Sequence, residues 1–291
     1  MDQIYKRQNE DDILVLLFAQ KVEYDKAGIY NRISWGGTFI LFVEGILEQI
    51  FSFGCWSLGI SVVLTLVVFY YNGCKKKSIC IGADTKNLID SILFKFDYCD
   101  VRKKELFANA VHLKEKHKKK YVEQTTHTGI DQIRGVKDWY DQYGESNHSK
   151  VILMCQKDNL NWSEKLSNYY LKMVAILLMT SIVVAAFVIY TYGFKDIVLS
   201  IFLLTISTIL IKFIESCQEY SLFKHAIISG NAQADLFINL SREPVVEELL
   251  IVQKQINQTR TSGFLIPDWM HKIKSKKLHK ELQAVNRYIK K

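Results

Sequence analysis

Two pairs of long apolar segments dominate the pattern of hydrophobic and polar positions along the chain. The clearest segment covers residues 171–192, which carry a single charge, Lys172, near their start. A helix of this length can cross a hydrocarbon layer about 30 Å thick. A second apolar segment, residues 197–217, follows after a connection of only four residues. The short connection predicts that the two helices turn back on each other as a transmembrane hairpin.

An earlier pair of segments predicts another hairpin, although its first member contains two carboxylates. Residues 56–71 are apolar and rich in β-branched side chains, and three consecutive lysines follow at residues 75–77. Residues 33–50 are apolar apart from Glu44 and Glu48. A carboxylate near the membrane centre costs about 2.5–3.5 kcal/mol on insertion scales. Hydropathy alone therefore leaves this first span open.

The distribution of Lys and Arg around the apolar segments indicates the number of crossings. Five basic residues precede residue 33, nineteen lie within residues 75–172, and twelve follow Lys212, whereas the two short loops between spans carry only Lys195. Cytoplasmic loops are enriched in Lys and Arg. The N-terminus, the central insert and the tail are therefore predicted to share the cytoplasmic side, which requires an even number of crossings and includes the first span.

Helices are predicted outside the membrane as well. Near the N-terminus, apolar residues follow the three-and-four spacing of one helix face at Ile13, Leu14, Leu17, Phe18 and Val22. The tail from Pro267 onward predicts a helix with one broad apolar face and a basic remainder, which could lie on the inner leaflet or pack against a neighbouring subunit.

These patterns predict an all-α membrane protein with four transmembrane helices as two hairpins, a mainly helical cytoplasmic insert and a C-terminal amphipathic helix. The expected divisions are an N-terminal cytoplasmic amphipathic helix (1–32), transmembrane hairpin 1 (33–72), a basic cytoplasmic insert (73–170), transmembrane hairpin 2 (171–217), and a cytoplasmic helical stalk with a basic amphipathic tail (218–291).

Composition narrows the expected partners and chemistry. The formal net charge is +8, but the basic residues crowd beside predicted membrane ends, so the lipid bilayer rather than DNA or RNA is the expected partner. The six cysteines form no CxxC pair, and His112 and His117 are five residues apart and so on different helix faces, which predicts neither a metal site nor a cofactor. Motifs for phosphate loops, dinucleotide binding, nucleophilic serine and zinc peptidases are missing, and no enzymatic activity is expected.

Glu44 and Glu48 are the main candidates for a role inside the membrane. Their i,i+4 spacing places both carboxylates on one face of the first span. Either both line an ion path, or Glu44 is paired within the bundle and Glu48 lies at the outer headgroup layer. Lys212 lies near the cytoplasmic end of the fourth span, where it can snorkel with Glu215 as its partner.

Several local patterns together resemble one family, the SMODS-associated four-transmembrane effectors of CBASS-type bacterial anti-phage systems. The matching stretches occur in order around the four spans: KRQNEDDILVLLFAQKVEYDKA, FKFDYCDV, VKDWYDQYG, CQKDNLNWSEKLSNYY and IPDW. The resemblance implies a pore-forming effector in the bacterial inner membrane, triggered by the product of a cyclic-oligonucleotide synthase. Membrane disruption would then kill or arrest the infected cell.

Two of these stretches contain residues suited to a nucleotide. Aromatic faces for base stacking occur beside amide and carboxylate edges for hydrogen bonding. The same residue types also suit a capped helix packed at the membrane interface, so both interpretations stay open. The candidate ligand-binding residues are Asp138, Trp139, Tyr140, Gln156, Asn159 and Trp162.

Three functions are compatible with these patterns. The first is an oligomeric, ligand-gated pore or membrane-disrupting effector, because four spans of one protomer enclose too little room for a wide channel. The second is a non-conducting membrane receptor or scaffold that recruits a cytosolic partner. The third, a membrane enzyme acting on lipid or nucleotide, has no motif in its favour.

Overall fold

The computed structural model describes residues 3–51, 53, 55–129, 131, 135–140, 143, 147–192 and 196–265. Within these residues the chain is helical, and its only β-type contact is one isolated bridge between Thr128 and Lys137. The all-α class predicted from the sequence is thus confirmed. In chain order the helices are α1 (Gln3–Arg7), α2 (Asp11–Phe51), α3 (Cys55–Phe94), α4 (Asp100–Lys116), α5 (Lys118–Thr126), α6 (His148–Tyr192), α7 (Asp196–Ile238) and α8 (Val246–Thr261).

Four of the helices are far longer than a membrane span. α2, α3, α6 and α7 contain 41, 40, 45 and 43 residues. At 1.5 Å per residue each is about 60 Å long, twice the thickness of bilayer hydrocarbon. The predicted boundaries at residues 72 and 170 therefore fall inside continuous helices, and α3 and α6 connect both halves of the molecule.

Two segments of the described chain are long and apolar enough to cross a membrane: α3, over Cys55–Phe94, and Tyr170–Thr191 within α6. The first contains the second of the four predicted spans, residues 56–71, and the second coincides within one residue with the third, residues 171–192. Length and composition alone define them, so the four-span arrangement stays a prediction. In the fourth predicted span, the side chains of residues 196–206 lie outside the described part.

The environment of α3 changes along its length. Trp56 and Phe69 are 84% and 80% exposed, although both are large and aromatic. In the second half of the same helix, Ile79 and Leu88 are buried. Apolar side chains that face outward over one half of a helix are suited to lipid, whereas those of the other half form a core as in a soluble protein.

That core lies at the end of the molecule opposite the α2–α3 turn. Each of five helices contributes a fully buried side chain to it: Phe18 of α2, Leu88 of α3, Leu153 of α6, Ile227 of α7 and Leu249 of α8. The start of α2 is surrounded on all sides, because the seven successive residues 13–19 are buried. This segment, predicted as an amphipathic helix, therefore runs through the core rather than along its surface.

α2 and α3 form an antiparallel pair that packs along most of its length. Gly37 permits a close approach, since a Cβ atom at this position would lie 2.7 Å from Val68 Cγ2. The predicted tail helix from Pro267 onward, including Trp269, lies outside the described residues.

Candidate functional site

The carboxylate of Glu44 lies between the two helices of the first hairpin. It accepts hydrogen bonds from the hydroxyl groups of Ser57 and Ser61 on α3, the latter at 2.6 Å. Both serines are buried. The serines occupy one face of α3 because they are four residues apart. In this protomer Glu44 is thus paired within the hairpin, as one of the two sequence interpretations expected.

Glu48 closes the turn of the same hairpin. Its side chain is buried, and one carboxylate oxygen accepts a hydrogen bond from the backbone N–H of Phe53 at 2.9 Å. Towards the other end of the hairpin, the Ser34 hydroxyl donates to Asn72 Oδ1 at 3.1 Å. Polar contacts therefore follow the contact between α2 and α3 through an otherwise apolar segment. We call this set the polar seam: Ser34, Glu44, Glu48, Ser57, Ser61 and Asn72.

The polar seam ends at a group of charged residues on α7. Asn72 donates to Glu215 Oε2 at 2.9 Å and accepts a hydrogen bond from the Lys212 ammonium. Lys212 also lies 3.6 Å from Glu215, which confirms the partner expected from the sequence. The ammonium is buried and does not extend to solvent, because α2 and α3 cover it.

A second polar cluster lies in the core, around Asp90 of α3. One oxygen of Asp90 accepts a hydrogen bond from Tyr140 Oη at 2.9 Å. The other accepts from Gln253 Nε2 at 2.9 Å and is 2.7 Å from Arg260 Nη2. Burial alone would raise the pKa of Asp90, but the positive charges of Arg260 and Lys86 outweigh burial and hold its pKa below the ordinary value. Asp90 is therefore an ionised carboxylate buried in the core.

Lys86 lies one helical turn before Asp90 and is 3% exposed. Its ammonium is 3.7 Å from Asp90 Oδ1 and makes no hydrogen bond among the described residues. Instead it lies over the rings of Trp139 and Tyr140, at 4.7 and 5.1 Å from their centroids. Burial lowers the pKa of Lys86 to about 8. At neutral pH the side chain is thus a protonated and almost fully buried cation.

The loop that carries Trp139 and Tyr140 is fixed to the start of the chain. The backbone N–H of Tyr140 donates to Gln8 Oε1 at 2.7 Å, and Gln8 Nε2 donates to the Tyr140 carbonyl at 3.0 Å. Asp138 adopts a φ of 51°, in the left-handed region, and accepts a hydrogen bond from Asn9 Nδ2 at 2.8 Å. These bonds hold Trp139 over the core while leaving it 45% exposed.

The structure brings most of the predicted ligand-binding residues to this one cluster. Asn159 Nδ2 donates to Tyr140 Oη at 3.0 Å, and Gln156 Nε2 donates to Gln253 Oε1 at 3.0 Å. Asp138 and Trp139 lie on the covering loop, and the side chain of Trp162 lies outside the described part. Whether these residues bind a ligand stays a prediction.

Four members of the cluster were not selected from the sequence: Lys86, Asp90, Gln253 and Arg260. Lys86 and Asp90 have the i,i+4 spacing of an ordinary surface ion pair. The only local signal is their position among apolar residues of α3, next to Leu88 and Ile89. Among the described residues, no group of three or more His, Cys, Asp or Glu side chains is arranged to hold a metal ion.

Comparisons with known proteins give one match. The model of a family described as the SMODS-associating 4TM effector domain matches residues 2–288, which is nearly the whole chain. The comparison with curated proteins and the comparison with solved structures each gave no match. The match confirms the resemblance noted from the sequence stretches, and it agrees with the membrane character of α3 and α6. The chain belongs to the family of SMODS-associating 4TM effectors.

Proposed function

We propose that this effector acts in bacterial anti-phage defence by forming an oligomeric pore, or otherwise disrupting the inner membrane, when a cyclic oligonucleotide binds. In this proposal the chain crosses the membrane four times, as two hairpins, with both termini in the cytoplasm. Family membership supports the effector role. The excess of basic residues in the three long polar segments supports the orientation.

The observation that carries the pore proposal is the polar seam. A carboxylate inside a span is costly, and such groups in membrane proteins commonly line ion paths. Hydrogen bonds from Ser57 and Ser61 of the same hairpin offset this cost for Glu44. Separation of α2 from α3 in an assembled oligomer would expose these oxygen atoms to water. They would then line a path suited to cations.

Gating would act through the long helices. Lys86 and Asp90 are on α3, and Asn159 is on α6, so two helices of the core cluster continue directly into predicted spans. A ligand that shifts these side chains would move the spans, because a helix transmits displacement along its axis as a rigid element. The core cluster would bind the ligand, and the polar seam on the same long helices would form the ion path.

Membrane potential in cells tests the pore. Co-expression with an active cyclic-oligonucleotide synthase is expected to dissipate the potential, as reported by a voltage-sensitive dye. Glu44→Leu together with Glu48→Leu should abolish this loss at equal protein levels. The control is Glu115→Gln, because Glu115 is an exposed residue of α4. An unchanged potential with the wild-type chain and an active synthase would exclude the pore.

One observation favours the scaffold as a second candidate. The turn from α7 to α8 exposes a group of apolar side chains outside the predicted spans: Leu236, Val245, Val246 and Leu250. Such a patch is suited to a partner protein. A scaffold would keep its cellular activity in the Glu44→Leu/Glu48→Leu variant and lose it when Val246 and Leu250 are replaced by Ser.

A further inference from the structure

We propose that Lys86 is the binding group for a phosphate of a nucleotide, and that Trp139 covers this group until the ligand arrives. The inference deepens the proposed function, because it assigns the recognition of the signal to a residue that the sequence did not indicate. It depends on the hydrogen bonding of Lys86, on the charge of the cluster, on the aromatic cover over the ammonium, and on the position of α3 relative to the membrane.

The first argument is the hydrogen bonding of Lys86. An ammonium has three donors, and buried polar groups in folded proteins nearly always have hydrogen-bond partners. Lys86 Nζ makes no hydrogen bond within the described residues, although it is buried. Asp90 is already engaged by Tyr140, Gln253 and Arg260. The ammonium therefore retains capacity to donate to an anion.

The second argument is charge. The groups that face Lys86 are Asp90 on its own helix, Tyr140 on the loop, Cys155 on α6 and Arg260 on α8. Asp90 balances one of the two cations, which leaves a net charge of about +1 in a region of low dielectric. A phosphate would neutralise this charge and accept charge-assisted hydrogen bonds from Lys86.

The third argument is the aromatic cover. Trp139 lies 4.7 Å above the ammonium and is nearly half exposed. A cation–π contact is weaker than the charge-assisted hydrogen bonds that a phosphate makes to a buried ammonium. A phosphate can therefore displace the indole from the ammonium, and the displaced ring can stack on a base. A nucleotide has both a phosphate and a base, whereas an inorganic anion can only bind the ammonium.

Position favours a cytoplasmic nucleotide over a lipid headgroup. α3 is continuous, and Lys86 lies fourteen residues beyond Asn72, where the first hairpin is predicted to leave the membrane. At 1.5 Å per residue this places Lys86 about 21 Å from the membrane end along the helix. A headgroup phosphate would have to leave the bilayer surface to reach it.

The experiment uses the full chain in nanodiscs of neutral phosphatidylcholine, with thermal stability as the readout. Inorganic pyrophosphate and ATP, both with EDTA to remove metal ions, are the probes. Both should raise the melting temperature of the wild-type protein. In Lys86→Met, the concentration of each probe that is needed for the same shift in melting temperature should rise by about tenfold or more, the effect of losing one charged hydrogen bond. Lys86→Arg, which keeps the cation, should restore both responses.

Two further variants sharpen the result. Lys114→Met is the matched control, because Lys114 also lies 4.7 Å from an aromatic ring, that of Tyr121, but outside the cluster. It should respond like the wild type. Trp139→Ala should weaken the response to ATP but not the response to pyrophosphate, since only ATP carries a base.

Each other outcome overturns the proposal. These are no stabilisation of the wild type by either probe, or an equal response in Lys86→Met. In a second set of nanodiscs, which contain phosphatidylglycerol, a Lys86-dependent stabilisation that arises from this lipid and not from the probes would assign the site to a lipid headgroup instead. Dye leakage from vesicles, measured separately, distinguishes the two proposals. Lys86-dependent probe binding in a protein that shows no synthase-triggered leakage refutes the pore and leaves the site, whereas synthase-triggered leakage with unchanged probe binding in Lys86→Met refutes the site.

Discussion

Lys75 of α3 and Glu219 of α7 form a buried ion pair, with 2.7 Å between Nζ and Oε1. The pair connects the helix that leaves the first predicted hairpin to the helix that leaves the second. A neighbouring pair, Lys76 and Glu215, lies 2.8 Å apart, but the Lys76 side chain is 60% exposed. Each lysine thus pairs with a glutamate of α7, but the Lys75 side chain is buried and the Lys76 side chain is exposed.

Removal of Lys75 is expected to loosen the connection between the hairpins. Lys75→Met leaves the Glu219 carboxylate buried without its cation, which costs about 3 kcal/mol or more. The melting temperature in detergent micelles should fall clearly. Lys76→Met should change it little, because exposed pairs contribute about 0–1 kcal/mol. Equal falls in melting temperature for the two substitutions would show that burial does not determine how much each ion pair contributes to stability.

A double substitution tests whether the cost comes from the unpaired carboxylate. Lys75→Met combined with Glu219→Met removes both charges and should recover much of the stability lost in Lys75→Met alone. If the pair also holds the hairpins in a closed state, Lys75→Met should lower membrane potential without any synthase. A potential equal to that of the wild type would limit the pair to a structural role.

The stability of the cytoplasmic core should depend on pH through Lys86. Burial lowers the pKa of Lys86 in the native state to about 8, from 10.5 in the unfolded chain. Below pH 8 both states are protonated, and the native state bears the full cost of the buried cation. Between pH 8 and 10 only the native state releases the proton, so the free energy of unfolding should rise, by on the order of 2 kcal/mol.

Comparing the free energy of unfolding of the wild type with that of Lys86→Met isolates the contribution of Lys86 to the pH dependence. The variant should be more stable than the wild type at pH 7, and the difference should shrink as the pH approaches 10. Above pH 10 the tyrosines oppose the trend, because burial raises the pKa of Tyr24 to about 12 and that of Tyr140 well above its ordinary value. A stability difference that is constant from pH 7 to pH 10 would contradict the assignment of a lowered pKa to Lys86.

The hydroxyl groups of Ser57 and Ser61 should stabilise the first hairpin only while Glu44 is present. Replacing both by Ala removes two donors from a partly buried carboxylate, at about 1–3 kcal/mol each. Adding Glu44→Leu should restore the melting temperature, because the group that needed them is gone. Thr180→Ala is the control, since among the described residues that hydroxyl bonds only within its own helix, to the Ile176 carbonyl. Failure of Glu44→Leu to restore stability would argue against the pairing.

The parts of the fold that follow from local patterns could be predicted from the sequence. The apolar length of α3 and α6 is a local property, and so is the i,i+4 spacing that places Glu44 and Glu48 on one face of α2. The Lys212–Glu215 pair is local too. Its burial is not, because Asn72 and Trp35 cover the ammonium from other helices.

The core cluster could not be predicted, because its contacts join distant parts of the chain. Asp90 and Arg260 are 170 positions apart, and the i,i+4 pair of Lys86 and Asp90 resembles a solvated one until α8 packs over it. No periodicity indicates which of the 38 basic residues are buried. Tyr140 and Asn159 were selected for their chemistry, and their mutual contact became evident only in the fold.

The number of crossings is the remaining prediction on which the pore depends. Reporter fusions at Tyr5, Lys120 and Val285 should all report a cytoplasmic location, since the segments that contain them carry the excess of basic residues. A fusion in the connection after Tyr192 should report the opposite side. An external reporter at Tyr5, with Lys120 cytoplasmic, would remove residues 33–50 from the set of spans. Glu44 would then lie outside an ion path, and the polar seam would serve only to join α2 to α3.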